Sequence, residues 1–151
     1  MTYSQKTKEK IHIYTDGSSL GNPGDGGWAA VLIHQSSFGL IRKEISGFVP
    51  DATSNQMEVT AVIRALEALK MDCAVTLYSD SKYVVNAINK WIVDWEKKNW
   101  KDVKNVDLMK RLAELKKIHE IQANWIKGHS GHVENERCDV LAVAAAKSKK
   151  N

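Results

Sequence analysis

Residues 15–33 read TDGSSLGNPGDGGWAAVLI, a segment with five of the chain's nine glycines and an acid, Asp16, just ahead of them. A glycine loop that cradles a phosphate joins a strand to a helix, because the helix N-terminus supplies free N–H groups and a dipole. Here the glycines run into WAAVLIH, which is strand-like. GNPGDGG also lacks the Lys-Ser/Thr pair of a Walker loop and does not match GxGxxG. The segment therefore reads as a wide hairpin turn, whose glycines admit positive φ angles and a close backbone approach to something bound.

Working outward, IHIYTDGS (11–18) is rich in β-branched and aromatic residues and reads as a strand. WAAVLIHQ and LIRKEISGF follow it, separated by SSFG, so three successive strands form an antiparallel meander. From Gln56 to Lys70 the period changes: Val59, Val62, Ile63, Leu66 and Leu69 repeat at three and four, after the cap candidates Thr53, Ser54 and Asn55. AVTLYSD (74–80) is a short apolar strand, and SKYVVNAINKWI runs on as a helix with Asp80 or Ser81 at its cap. Asn105 to Ile118 gives another helix, QANWI (122–126) a last strand, and KGHSGH a loop before a helix from about Glu134. That order implies an α/β protein, a mixed sheet with helices on its faces.

At 151 residues and 43% hydrophobic, the chain suits one domain, read as residues 10–147 between a flexible extension (1–9) and a flexible tail (148–151). It has no run of about 18 apolar residues, and MTYSQKTKEK is polar, so a membrane span and a signal peptide are unsupported and a cytoplasmic protein is expected. Cys73 and Cys138 lie far apart without a CxxC and read as free, buried thiols. The formal charge of +4 leans towards a polyanionic partner. Lys97, Lys98, Lys101 and Lys104 interleave with Trp91, Trp95 and Trp100, which suits a sugar-phosphate backbone; equally, it suits a solvated helix face anchored by tryptophans.

Four acids stand where apolar or strand-end residues are expected. Asp16 ends a strand that the element order makes central, and an unpaired buried carboxylate there is costly. Glu58 shares the helical stripe of Val62, Leu66 and Leu69; Asp80 ends a strand; Asp139 adjoins the apolar run VLAVAAA. Taken singly, Asp16 reads as an Asx-turn residue, Asp80 as an N-cap and Asp139 as a first-turn acid. Glu58 has no such ordinary explanation. Together the four imply convergence on a hard divalent cation, Mg²⁺ or Mn²⁺, rather than zinc, because every ligand is oxygen. His129, His132 and Cys138 lack a fourth partner for a zinc site.

Five separated segments, TDGSSLGNPGDGG, SNQMEVTAVIRALEALK, YSDSKYVVNAINKWI, KNVDL and WIKGHSGHVENERCDVLA, resemble the motifs of bacterial type 1 ribonucleases H, in that family's order. The resemblance runs from about Lys10 to Lys147. It implies the ribonuclease H-like fold, a five-stranded mixed sheet with three antiparallel and then two parallel strands. It also implies an endonuclease that hydrolyses the RNA strand of RNA:DNA hybrids by two-metal-ion catalysis, leaving 5′-phosphate and 3′-hydroxyl ends. Residue by residue, the family's ligands for two Mg²⁺ ions fall on Asp16, Glu58, Asp80 and Asp139, and its mobile catalytic histidine falls on His129. For substrate, the resemblance places Gly17, Ser18, Asn22 and Asn55 towards the minor groove, where the 2′-hydroxyl distinguishes RNA. Thr53 falls on a phosphate contact to the DNA strand, and Trp91, Lys97 and Lys98 fall on a basic protrusion that grips it.

Four features depart from the family pattern. Asp94, Glu96 and Asp102 offset the protrusion's four lysines, the stretch before KNVDL is short, Asp51 stands near the phosphate pocket where a basic residue is frequent, and Ser54 occupies an Asn position. Weaker hybrid affinity with intact chemistry is the expectation. Setting the four acids aside leaves 22 basic side chains against 14 acidic ones, so an acidic site sits in basic surroundings. Two other readings remain: a DNA nuclease or recombinase on the same fold, which normally carries further DNA-binding domains, and a non-catalytic hybrid-binding module, which would have lost the acids. A monomer without a membrane or obligate protein partner is the default expectation.

Overall fold

A computed structural model describes residues 8–150. Five strands, β1 (Glu9–Ser19), β2 (Gly24–Ser36), β3 (Gly39–Ala52), β4 (Cys73–Ser79) and β5 (Glu120–Trp125), form one sheet in the order β3-β2-β1-β4-β5. The β1–β2 and β2–β3 pairs are antiparallel, and β1–β4 and β4–β5 are parallel. The mixed sheet expected from the element order is therefore present. Its helices are α1 (Ser54–Glu67), α2 (Lys82–Asn86), α3 (Ile92–Lys97), α4 (Val106–Ile118) and α5 (Val133–Ser148).

Strand alternation sorts the core into two layers. Ile11, Ile13, Ala30, Val75 and Leu77 meet α1, α2 and α4 in the main core, with Val59, Val62 and Leu66. Ala29 and Val31 face the other way and pack with Cys138 and Ala142 of α5. Fully burying a Val, Leu or Ile side chain is worth about 1.5–3 kcal/mol, so this two-sided core fixes the central strand β1.

The glycine segment is shorter as a turn than its composition suggests. Gly24 to Gly27 already belong to β2, and Gly26 and Gly27 pair with Ser19 and Ser18. Their closeness serves the fold rather than an external ligand. An ideal Cβ on Gly27 would lie 2.0 Å from the Ala142 carbonyl oxygen, and one on Gly26 would lie 2.8 Å from the Ala52 Cβ. Glycine here lets α5 settle directly on the sheet.

Several boundaries move for local reasons. Glu9, placed in the extension from sequence, starts β1: it pairs with Cys73, and its carboxylate contacts His34 at 2.9 Å. Residues 1–7 and 151 of the expected extension and tail lie outside the described residues, and Ser148 still belongs to α5. Helix α1 starts earlier than Gln56, because Thr53 and Gln56 form a reciprocal capping box.

The single helix read over SKYVVNAINKWI is interrupted by a π turn at Ala87–Trp91. A π turn disturbs the regular backbone ladder, and here Lys116 Nζ donates to the Ile88 carbonyl at 2.7 Å. Beyond it Trp91 packs on Tyr83 and Trp95, and Trp95 on Trp100, with ring centroids about 6 Å apart. All three tryptophans are half-buried against the main core. Anchoring is thus a structural role they demonstrably play.

Candidate active site

Three acids from three elements meet at one end of the sheet. Asp16 comes from β1, Glu58 from the second turn of α1, and Asp80 from the residue after β4. One carboxylate oxygen from each lies within 4.8 Å of the others. Asp139 of α5 adjoins them, close enough for its charge to act on both Asp16 and Asp80.

The alternatives for single acids fall away on geometry. Ser81, not Asp80, caps α2, its hydroxyl accepting from the Val84 amide at 3.2 Å. Asp139 is the seventh residue of α5 and so lies beyond the first turn, where an acid complements the helix dipole. Asp16 accepts from the amide of its neighbour Gly17 at 3.0 Å, not from the residue two further on as an Asx turn requires. No Lys or Arg pairs with any of the four acids among the described residues.

The electrostatics record that crowding. Burial, then the Asp80 and Asp139 charges, push the Asp16 carboxyl up to about 8. Burial, then Asp16 and Asp80, hold Glu58 well above the ordinary carboxylate range. Burial, then the Asp139 charge, raise Asp80, partly offset by hydrogen bonding with Asp16 and backbone and, least, by His129. Glu58 is only half-buried as a residue, yet its Oε1 is fully enclosed and has no hydrogen-bond partner among the described residues. An enclosed, unpartnered carboxylate oxygen among other carboxylates fits a divalent cation, which satisfies the lone pairs and offsets the repulsion.

The loop from Lys127 to His132 runs against Asp80. A Cβ on Gly128 would stand 2.8 Å from Oδ2 of Asp80, so glycine is what allows the approach. His129 follows in a left-handed conformation (φ 55°) with an exposed side chain. Trp125 holds the Asp80 backbone, its indole N–H donating to the Asp80 carbonyl at 3.0 Å. Of the remaining histidines, His119 is buried and its Nδ1 accepts from the Cys73 amide, while His12 is exposed beside Tyr78.

Asn22, Thr53 and Asn55 line a cavity of about 440 Å³ at the start of α1, together with Ser54, Lys104 and Asn105. Asn22 Oδ1 accepts from the Ser54 amide at 3.1 Å, tying the glycine turn to the helix. Sequence reasoning missed Asn105 here. It adopts φ 55° and bridges Gln56 and Tyr83, and the signal available was an Asn directly before a helix, a residue type that tolerates the left-handed region. Gly17 lies at the acid cluster and Ser18 next to it on β1. Lys97 and Lys98 are exposed at the end of α3, and Trp91 is turned into the aromatic cluster.

A family model for RNase H matches residues 8–147. The chain is 52% identical over 141 residues to ribonuclease HI of Helicobacter pylori, covering 93% of this chain and 96% of that one. It is 49% identical over 147 residues to ribonuclease H of Chlorobium phaeobacteroides, covering 93% and 98%. Among solved structures, LC9-RNase H1, described as a type 1 RNase H with the type 2 active-site motif, superposes with a TM-score of 0.90 at 26% identity. That likeness covers 97% of this chain and 76% of that one. RNase H1 of the archaeon Halobacterium salinarum gives 0.68 at 29% identity, covering 92% and 98%. The chain belongs to the RNase H family, the enzymes that cleave the RNA strand of RNA:DNA hybrids.

Proposed function

We propose that this ribonuclease H works with two Mg²⁺ ions held by Asp16, Glu58, Asp80 and Asp139, and leaves 5′-phosphate and 3′-hydroxyl ends. The observation that carries the metal reading is the enclosed, unpartnered Oε1 of Glu58 among carboxylates within 4.8 Å. When bound, such ions supply positive charge to the scissile phosphate and activate water for in-line attack. Mn²⁺ has the same oxygen preference and serves as a substitute.

The protein's own groups do the rest. Gly17 orients Asp16 through its amide, and its missing side chain lets Glu58 approach. His129, exposed on a loop above Asp80, holds a proton for the departing 3′ oxygen and helps release product. The cavity at the start of α1 takes a phosphate of the DNA strand, contacted by Thr53, Asn22 and Asn55. Gly17 and Ser18 face the minor groove, and Trp91, Lys97 and Lys98 support the DNA strand further out. Residues 10–147 act as one domain, a monomer in the cytoplasm. No helix among the described residues is long and apolar enough to cross a membrane.

One experiment tests both the chemistry and the substrate. Wild type and Asp80→Asn are incubated with labelled RNA:DNA, RNA:RNA, DNA:DNA and single-stranded RNA, with Mg²⁺ or with EDTA. Cleavage confined to the hybrid's RNA strand, dependent on metal and lost in the variant, is expected. An undiminished variant, or activity in EDTA, would overturn the metal reading.

A further inference from the structure

Helix α5 carries Asp139, yet the side chain of its N-cap residue, His132, makes no capping hydrogen bond. The loop before it includes two left-handed residues, His129 and Gly131. What fixes the first two turns comes from β3. Arg42 donates to both carboxylate oxygens of Glu134, Nε to Oε2 at 2.9 Å and Nη2 to Oε1 at 2.7 Å. Its Nη1 reaches Glu44 Oε2 at 2.9 Å. Glu44 in turn accepts a fork from Arg137, Nε at 2.8 Å and Nη2 at 3.0 Å. Two bidentate pairs bridged by a third contact thus strap the start of α5 to the sheet.

The geometry points to Arg42, Glu44, Glu134 and Arg137 as a positioning strap that sets Asp139 against the other three acids. This rests on the reading of Asp139 as a metal ligand. Arg137 lies two residues before Asp139, and Glu134 five before it, so the strap grips the turns that deliver the carboxylate. Further along, Ala142 is seated on Gly27. Asp139 stands between these two attachments. The side chains are partly exposed, and an isolated pair of that kind is worth little to stability. Bidentate Arg–carboxylate forks in series contribute direction instead, and a ligand misplaced by about 1 Å loses much of its value.

The test measures Mn²⁺ binding to metal-free protein by calorimetry alongside steady-state cleavage of hybrid. Arg42→Ala and Glu134→Gln are expected to weaken Mn²⁺ binding by about 10-fold, the low end for groups that support a metal ligand, and to lower kcat by a similar factor. KM for the hybrid should stay within about twofold, since the strap bears on a metal ligand and not on the substrate face. Arg42→Lys, a point charge without the fork, should restore only part of both. Arg111→Ala is the comparison: it removes an ion pair of similar exposure from α4 to Glu67 of α1, with a more exposed one to Glu114 within α4, and should change neither. Unchanged metal binding and kcat in both Arg42→Ala and Glu134→Gln would overturn the strap. An Asp139→Asn variant that binds Mn²⁺ as wild type does would instead remove the ligand reading beneath it.

Discussion

An ideal Cβ on Gly17 would stand 2.4 Å from the backbone nitrogen of Glu58, so β1 and α1 touch where two of the site's acids are delivered. The same glycine donates its amide to Asp16 Oδ1 at 3.0 Å. Its missing side chain is what lets Glu58 reach the end of the sheet beside Asp16. The two nearest clashing atoms, Glu58 N and Met57 C at 2.4 Å, are backbone and cannot rotate away. Gly17→Ala is therefore expected to destabilise the protein by about 1–3 kcal/mol, the usual cost of overpacking. Activity should fall further than that loss explains, because Glu58 is pushed from its partners. Urea denaturation and steady-state cleavage on the same preparation check this, and a fully active Gly17→Ala would show the contact to be loose.

Much of this arrangement was legible in the chain itself. Runs of β-branched, aromatic and apolar residues between turns located the strands, a repeat at three and four located α1, and the misfit of Glu58 on that apolar stripe marked the site. The purpose of the glycines was not legible, because Gly27 answers to Ala142, more than a hundred residues away. The π turn at Ala87–Trp91 was hidden likewise: the carbonyl of Ile88 is satisfied by Lys116 of another helix. The strap joins Arg42 to Glu134 and Glu44 to Arg137 across similar spans. Local propensity carries no trace of such partners, since only the tertiary fold brings them together.

Asp16 ties stability to pH. Its carboxyl titrates at about 8 in the folded protein against an ordinary value of 3.8. Between these values the folded state keeps a proton that the unfolded state has lost. The stabilisation is complete below about pH 4, disappears as pH rises towards 8, and is absent above. Metal-free Asp16→Asn loses Asp16's share of this slope, while Glu58 and Asp80 keep theirs, and should exceed wild type at pH 8 by about 1–2 kcal/mol, the usual size of a single stabilising change. At pH 4 the difference should shrink to nearly nothing. Urea titrations in EDTA at both pH values measure it. Hybrid binding should persist in the variant while cleavage disappears. A variant that cuts normally would remove Asp16 from the metal site.

Cys138 offers a probe of how firmly α5 is seated. The thiol is fully buried, and burial together with the Asp16 charge pushes it up to about 12. Cys73 is also buried and raised. Only the thiolate reacts readily with disulfide reagents, so both should be labelled slowly in the native protein at pH 8, through transient opening, and at once in urea. Labelling followed by mass spectrometry separates the two sites. Saturating Mn²⁺ should slow native labelling of Cys138 more than that of Cys73, because Asp139 follows Cys138 directly on the helix that the metal pins. Equal protection of both would mean that metal stabilises the fold as a whole without seating α5 in particular.

His129 separates proton handling from metal binding. It is exposed, sits at φ 55°, and reaches Asp80 only through its charge. Removing it leaves the carboxylate cluster intact. His129→Ala should therefore lower kcat by about 10²-fold, the lower range for loss of a positioned acid or base. KM for hybrid and the Mn²⁺ affinity should stay near wild type, whereas Asp80→Asn should lose both cleavage and metal. Imidazole added to His129→Ala should recover part of kcat, since the exposed loop leaves room for a free ring above Asp80. If the proton on His129 matters at the departing 3′ oxygen, substrates carrying a sulfur leaving group, which departs without a proton, should be cut equally well by wild type and variant. A persistent deficit with that substrate would move the role of His129 from proton transfer to product release.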